Sequence, residues 1–576
     1  MQRKFLEISE KIVSVIFAIL VIYMFLASIV STCVMVYKDE HTYYIKDFPI
    51  LMCVGLVCFV IVLMFLVKKI VITEKTWKII TVAVTIIWFI LLIAIVAGTS
   101  LHMVYDQFKV YFGAVDFLQG DYTNWKPYNY FYAYPYINGM VLMEIPFIWL
   151  FGADKAYLAM QYINILFWYG TILLLTKMAG KYYGKKVERF TYFSLIGFIP
   201  MWLYVTFVYG TIPAMFFGVL SFYLEQKYEE NGKWKVLICS LISMILSVAW
   251  KSNFQIFLIA LMLMLFIHGI RTKQKWSFIG SIAALILLCF ELTWISMFVH
   301  SVTGESVEGN TPTITWVAMG LQDSSIAPGW YNAYTENMYA LHDYDQEAIT
   351  QASIENIKYN IDLFCREPLY ALRFFFRKMA SMWNNPSFQS LTIVTKRNTS
   401  GTLSYFWKDL LYDGGVKNVI LRIVMDIMHS MTLFGMVLHV ILNRKRQDLK
   451  HCILKVTFIG GFLFHLVWEA MGQYALPYYI LIIPFAVHGY ELLVRRLQTL
   501  FANTNTVKEK ATAIKNASLN TGSGKRMLAL AVVILFIAVA DFEILNSSIK
   551  LQGEESDYIW YCTNEIQWKN DDYYKI

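Results

Sequence analysis

Charge is scarce in this chain. Asp, Glu, Lys and Arg make up 16% of its 576 residues, against 58% hydrophobic residues and a mean hydropathy of +0.50. Such a composition cannot supply a polar skin, which excludes a soluble globule and implies a polytopic membrane protein. Other absences narrow the reading. There is no P-loop and no G-x-G-x-x-G at a strand-to-helix turn, which argues against nucleotide-driven transport. Six of the eight cysteines lie in or beside apolar runs without C-x-x-C spacing; Cys365 and Cys562 alone fall in external stretches, and nothing in the sequence pairs them. The ten histidines form no H-x-x-x-H or similar cluster, so neither a metal site nor a required cofactor is read from them. A divalent cation would need outer-loop aspartates that folding brings together. No basic patch with interleaved aromatics accompanies the net charge of +8, which therefore points to topology and anionic lipid rather than to nucleic acid.

What is present is a series of apolar runs, roughly thirteen of them long enough to span a bilayer. They begin near residues 11, 48, 77, 157, 190, 211, 234, 253, 277, 418, 452, 475 and 527. The run near 211 is the weakest, short enough to pair with its neighbour as a hairpin. Lys and Arg crowd into alternate loops, at Lys68-Lys69, Lys181 to Arg189, Arg271 to Lys275, Arg444 to Arg446 and Arg495-Arg496 with Lys525-Arg526, and the positive-inside rule makes those loops cytoplasmic. Residues 136–152 are laid flat on the outer surface. Counting them as a span would put Lys181 to Arg189 outside, and Glu144 and Pro146 disfavour lipid. The apolar core from Ile12 to Val36 is too long for a cleaved signal and reads as a retained anchor.

The expected fold is an all-α polytopic membrane protein of about 13 transmembrane helices, with a cytoplasmic N-terminus and an external C-terminus. Residues 1–99 hold three N-terminal spans, 100–156 a first external loop with juxtamembrane helices, and 157–299 a transmembrane bundle. Residues 300–416 form a large external loop and 417–493 further spans; 494–526 is a cytoplasmic linker, and 527–576 the last span with an external tail.

Everything that reads as chemistry faces outward. Asp106 follows the Ile79–Ala97 run by about two helical turns, which puts a carboxylate beside aromatic residues at the membrane surface. It is the leading candidate for a general base, against the plainer reading of a solvated aspartate that starts a loop. Asp116 is ten residues on, on a similar helical face but about 15 Å away, too far for a retaining acid pair. Asp121 follows Gly120 and suits a turn or N-cap. The tyrosines of Tyr130-Phe131-Tyr132-Ala133-Tyr134-Pro135-Tyr136 suit either an interfacial aromatic belt or sugar stacking.

The order of Asp106, Gly120-Asp121-Tyr122, Tyr134-Pro135-Tyr136-Ile137-Asn138-Gly139 and Phe151-Gly152 resembles the bacterial GT-C glycosyltransferases, the group related to protein O-mannosyltransferases and to the lipid A aminoarabinose transferase. Further along, Thr315-Trp316-Val317-Ala318-Met319-Gly320-Leu321 with Gly329-Trp330-Tyr331-Asn332, Trp383-Asn384-Asn385-Pro386, and Trp468-Glu469-Ala470 leading to Gln473-Tyr474 resemble Gram-positive members of that group. The resemblance implies an inverting transfer of a sugar from a polyprenyl-phosphate donor to a hydroxyl of a cell-envelope glycan or related acceptor, on the outer face of the cell membrane, with Asp106 as base. Related sequences often carry Arg where this chain has Gln473, and this chain has spans ahead of the Asp106 loop beyond the one the group commonly has.

Charge that accumulates on a leaving phosphate calls for a cation. Lys251 breaks the positive-inside pattern at membrane depth, and Arg373, Arg377 and Lys378 lie on an amphipathic stretch, where snorkelling to headgroups is the plainer role. Asp116, Tyr134, Asn138, Glu469 and Tyr474 are the candidates for holding sugar or supporting the base; a hydrogen bond from Glu469 to His465 is its structural alternative. Arg422 and Asp426, at i and i+4, suit mutual neutralisation. A lipid-linked oligosaccharide flippase, or a surface polysaccharide polymerase or ligase, is the competing function; a flippase predicts ionisable residues along a central path, whereas the polar residues here gather on one surface.

Overall fold

The computed structural model describes residues 2–35, 42–47, 49, 73–99, 102–305, 311–397, 403–412, 415–443 and 452–502. Lipid offers no hydrogen-bond partners, so apolar runs satisfy their backbones by coiling. The chain opens with α1 (Gln2–Val30), a β-hairpin (β1, Ser31–Met35; β2, Thr42–Lys46) and α2 (Glu74–Thr99). A first segment between spans carries α3 (Asp106–Gln119) and α4 (Asn138–Phe151). The bundle follows as α5 (Ala156–Tyr183), α6 (Thr211–Asn231), α7 (Trp234–Trp250), α8 (Gln255–Thr272) and α9 (Lys275–Thr303). A second segment between spans holds α10 (Ile314–Gly320), α11 (Gln346–Arg366) and α12 (Pro368–Trp383), and the chain returns through α13 (Val416–Leu442), α14 (Ile453–Val467) and α15 (Gly472–Ala502). Seven helices among the described residues are long and apolar enough to cross a membrane, within α1, α2, α5, α8 with the turn before it, α9, α13 and α15.

Several expectations are corrected. The chain is not wholly α: the run from Ile12 stops coiling at Val30 and pairs as an antiparallel hairpin with Ser31 opposite Lys46 and Met35 opposite Thr42. Its backbone donors reach outward, Cys33 to the Asn384 carbonyl (2.9 Å) and Thr42 to that of Ile326 (3.0 Å), so tertiary partners complete the strands. The run near 190 is no single span; it breaks at Gly197 into helices Lys185–Ile196 and Ile199–Tyr204, then runs irregularly to Gly210. The weak run near 211, by contrast, does pair with its neighbour as expected: it is one helix, α6, turned back on α7 through Gly232 at φ 64° and tied to it by a Ser221–Ser240 hydroxyl contact of 3.0 Å. Glu144 of α4 is buried among neighbouring helices, so protein rather than water or lipid surrounds it. Helix α15 runs from Gly472 to Ala502. The runs expected near 48 and 527, and Cys562, lie outside the described residues apart from position 49.

One buried lysine ties the second inter-span segment to the bundle. Lys378 on α12 has no exposed surface, and its ammonium donates to the carbonyls of Gly320, Leu466 (3.1 Å) and Trp468 (2.8 Å), using all three of its hydrogens. Gly320 lies so close to Val467 and Trp468 that a Cβ would strike their backbones, and Gly329, at φ 74°, accepts from Ala470 N at 2.7 Å. The stretches around Gly320, Gly329 and Trp468 therefore meet at one cation, which is committed to structure and not to a ligand.

Replacing Lys378 by Met leaves three carbonyls without this donor, at ~1–3 kcal/mol each. A loss of at least ~3 kcal/mol is expected, read as a lower thermal midpoint of the purified protein in detergent; an unchanged midpoint would contradict this role.

Candidate active site

A cavity of about 1140 Å³ lies between the two inter-span segments and the ends of α7, α8, α9 and α14. Asp106 stands on its wall as the first residue of α3, where the exposed N–H groups and helix dipole favour an anion. Its two carboxylate oxygens each accept one phenol: Tyr130 OH donates to Oδ1 at 2.9 Å and Tyr209 OH to Oδ2 at 3.2 Å. Burial and the Asp106 charge both push these phenols above their ordinary pKa, which keeps them protonated donors. Each oxygen keeps a lone pair for a further donor.

Lys251, on the same wall, is 8% exposed. Its Nζ donates to the Tyr209 carbonyl at 3.2 Å and sits 4.1 Å from the centre of the Tyr209 ring. It makes one hydrogen bond among the described residues where an ammonium has three to give. Burial lowers its pKa to about 7, against a smaller upward push from Asp106.

The irregular stretch Val205–Tyr209 carries Tyr209 to this position, and its carbonyls are met by side chains from around the site. Asn164 donates to Val205 O (3.1 Å), Arg397 to Thr206 O (2.5 Å), Gln107 to Val208 O (2.9 Å) and Lys251 to Tyr209 O. Gly210 follows at φ 72°, and a Cβ there would overlap the Trp250 carbonyl oxygen. Gly139 closes on the Ala249 carbonyl in the same way. Two glycines thus seat both neighbouring segments on the end of α7, directly before Lys251.

The opposite wall is acidic and aromatic. Glu336 accepts from Tyr134 OH at 3.1 Å, and Trp316 stacks parallel on Trp468 with centroids 6.1 Å apart. Burial raises the Glu469 pKa to about 8, while a long 3.4 Å contact from Tyr474 OH opposes the rise. His465 bonds the Glu469 backbone oxygen (3.1 Å), so the expected His465 contact exists but not with the carboxylate.

No family model matches the chain, and no curated protein matches it. Among solved structures, it is similar to the oligosaccharyltransferase of Archaeoglobus fulgidus, crystallised with an acceptor peptide containing the NVT sequon tethered by a disulfide bond. The identity is 12% and the TM-score 0.37, over 77% of this chain and 54% of that one. The chain thus spans about half the length of that structure. So loose an overlay transfers neither a residue nor an activity.

Of the residues singled out in the sequence, Asp106, Lys251, Tyr134, Glu469 and Tyr474 line one cavity. Asp116 does not: at the far end of α3 it accepts from Asn124 Nδ2 at 3.1 Å. Asn138 is buried off the wall, accepting from Trp125 Nε1 at 3.0 Å. Arg373 and Arg377 are also off the wall, because the cavity-facing turn of the fold is made by α10 and the Trp468 loop; the Arg377 guanidinium packs 5.2 Å from the Tyr44 ring centre. Arg422 donates to Asn418 Oδ1 (2.8 Å), and Asp426 shares the Thr32 hydroxyl with Asp47. Sequence reasoning missed Tyr209, Gln107, Glu336 and Arg397. Arg397 is fully buried, bonding His102 O (3.0 Å), Thr206 and Tyr157, yet it sits in a short polar stretch with no periodicity to mark it. Among the described residues no three His, Cys, Asp or Glu side chains form a metal-holding group.

Rising pH makes this cavity more negative twice over. Lys251 loses its charge above about 7, and Glu469 gains one above about 8. Binding of a phosphodiester anion, whose own charge is constant here, is expected to weaken as pH rises through about 7 and to weaken more steeply above about 8. Titrating the affinity from pH 6 to 9 checks this, with Lys251→Met expected to be weaker and flatter.

Proposed function

We propose that this protein is an inverting membrane glycosyltransferase that moves a sugar from a polyprenyl-phosphate donor to a hydroxyl of a cell-envelope acceptor, a polysaccharide, teichoic acid, lipid or protein. The single observation that carries this reading is the pairing, in one cavity, of an accessible carboxylate held by two phenols with a buried lysine that has donors to spare. A base and a leaving-group cation are the two charges the transfer needs. The acceptor hydroxyl attacks the anomeric carbon opposite the phosphate and passes its proton to Asp106. The bond from that carbon to the phosphate oxygen breaks, its electron pair stays on the phosphate, and Lys251 neutralises the growing charge. Attack from the far side inverts the anomeric centre.

The rest of the cavity supports the same substrates. Ile256 and Ile259 of α8 with Leu288, Leu292 and Met297 of α9 form an apolar wall, and Ile259 and Met297 remain exposed toward the surroundings of the bundle. That wall suits an isoprenoid chain, while Trp316, Trp468 and the tyrosines suit sugar faces. Glu291 and Lys455, buried within α9 and α14, are off the cavity wall, so they do not extend it into the charged path that a flippase would use. With the basic loops cytoplasmic, the N-terminus is cytoplasmic and the site opens on the outer face of the cell membrane.

Asp106→Asn keeps the shape and removes the base. Transfer of radiolabelled sugar from undecaprenyl-phosphate monosaccharides is expected to fall by about 100-fold or more, with an unchanged thermal midpoint. Near wild-type transfer by this variant would remove Asp106 from the mechanism, and labelled lipid that changes leaflet without transfer would favour a flippase.

A further inference from the structure

Tyr209 touches both charges of the proposed reaction by three separate routes. Its hydroxyl donates to Asp106 Oδ2 at 3.2 Å, its ring lies 4.1 Å beneath Lys251 Nζ, and its carbonyl accepts from the same Nζ at 3.2 Å. An aromatic face and a carbonyl both attract an ammonium and hold it in one place. The residue itself has little freedom. Its carbonyl also accepts from Thr211 N at 2.9 Å, Gln107 fixes the preceding carbonyl, and Gly210 is seated against Trp250. Gln107 also directly follows Asp106, so the helix that presents the base is itself bonded to the loop that presents Tyr209.

We infer that Tyr209 is a positioning residue that sets the distance and orientation between the base Asp106 and the phosphate-binding Lys251. The inference rests on the proposed transfer and adds to it a division of labour within one side chain. The hydroxyl aims the carboxylate toward the acceptor; the ring and carbonyl aim the ammonium toward the donor phosphate. Tyr130 holds the other carboxylate oxygen but does not contact Lys251 through any comparable route, its ring instead lying 5.9 Å from Lys109 Nζ.

The two halves separate under substitution. Tyr209→Phe keeps the ring and carbonyl and removes the hydroxyl, so kcat should fall about tenfold with the donor KM unchanged. Tyr209→Leu removes the ring as well, so the same fall in kcat should come with a donor KM raised several-fold. Both variants are assayed for transfer in detergent or vesicles, alongside their thermal midpoints. Wild-type kcat in Tyr209→Phe overturns the role of the hydroxyl and with it the inference, and equal donor KM in the Phe and Leu variants overturns the role of the ring. If Tyr209→Leu has a lowered midpoint, the Phe variant alone decides. Absence of transfer by the wild type from every polyprenyl-phosphate sugar tested would instead overturn the proposed function, which distinguishes that failure from the failure of this one.

Discussion

Five residues without secondary structure, Val205 to Tyr209, impose the constraint on which the site depends. A chain that leaves the helix inside a lipid-surrounded protein must find partners for its carbonyls, because neither lipid nor a neighbouring turn supplies them. Here the donors are Asn164, Arg397, Gln107 and Lys251, drawn from α5, the second inter-span segment, α3 and the end of α7. Satisfying one irregular strand of backbone thus draws four parts of the fold to one place, and the cavity is the space left between them. Arg397 is spent on that task, with four bonds to His102, Thr206 and Tyr157, whereas Lys251 gives it one bond and keeps the rest.

The same counting separates two buried lysines that look alike in the sequence. Among the described residues Lys378 meets three carbonyls and Lys251 meets one. Burial depresses both, to about 7 in each case, so the shift alone does not tell a structural cation from a functional one. What tells them apart is the number of acceptors in reach and whether the side chain faces the cavity.

Much of the helical frame was legible before folding, because a bilayer demands long apolar runs and an apolar run has few ways to satisfy its backbone. The short polar stretch that holds Asp106 and the oddity of Lys251 could both be read from composition and spacing. The β-hairpin could not, since Ser31 to Met35 is as apolar as the helix before it and its partners at Ile326 and Asn384 are some 300 residues away. The break at Gly197 was likewise hidden in a run of suitable length. Arg373 and Arg377 had the spacing of a shared face, but spacing says which residues lie together on a helix and not what the helix faces.

The sequence by itself determined that this is a helical membrane protein, which of its loops are basic, and that a carboxylate and an isolated lysine lie at the ends of apolar helices. These are properties of local runs, which lipid reads one segment at a time. Only the tertiary structure decided that Asp106 and Lys251 share a cavity, that Tyr209 joins them, and that Lys378, Arg397 and Asn138 are occupied elsewhere. Those outcomes depend on which carbonyl each donor reaches, and such pairings between distant segments have no period in the sequence.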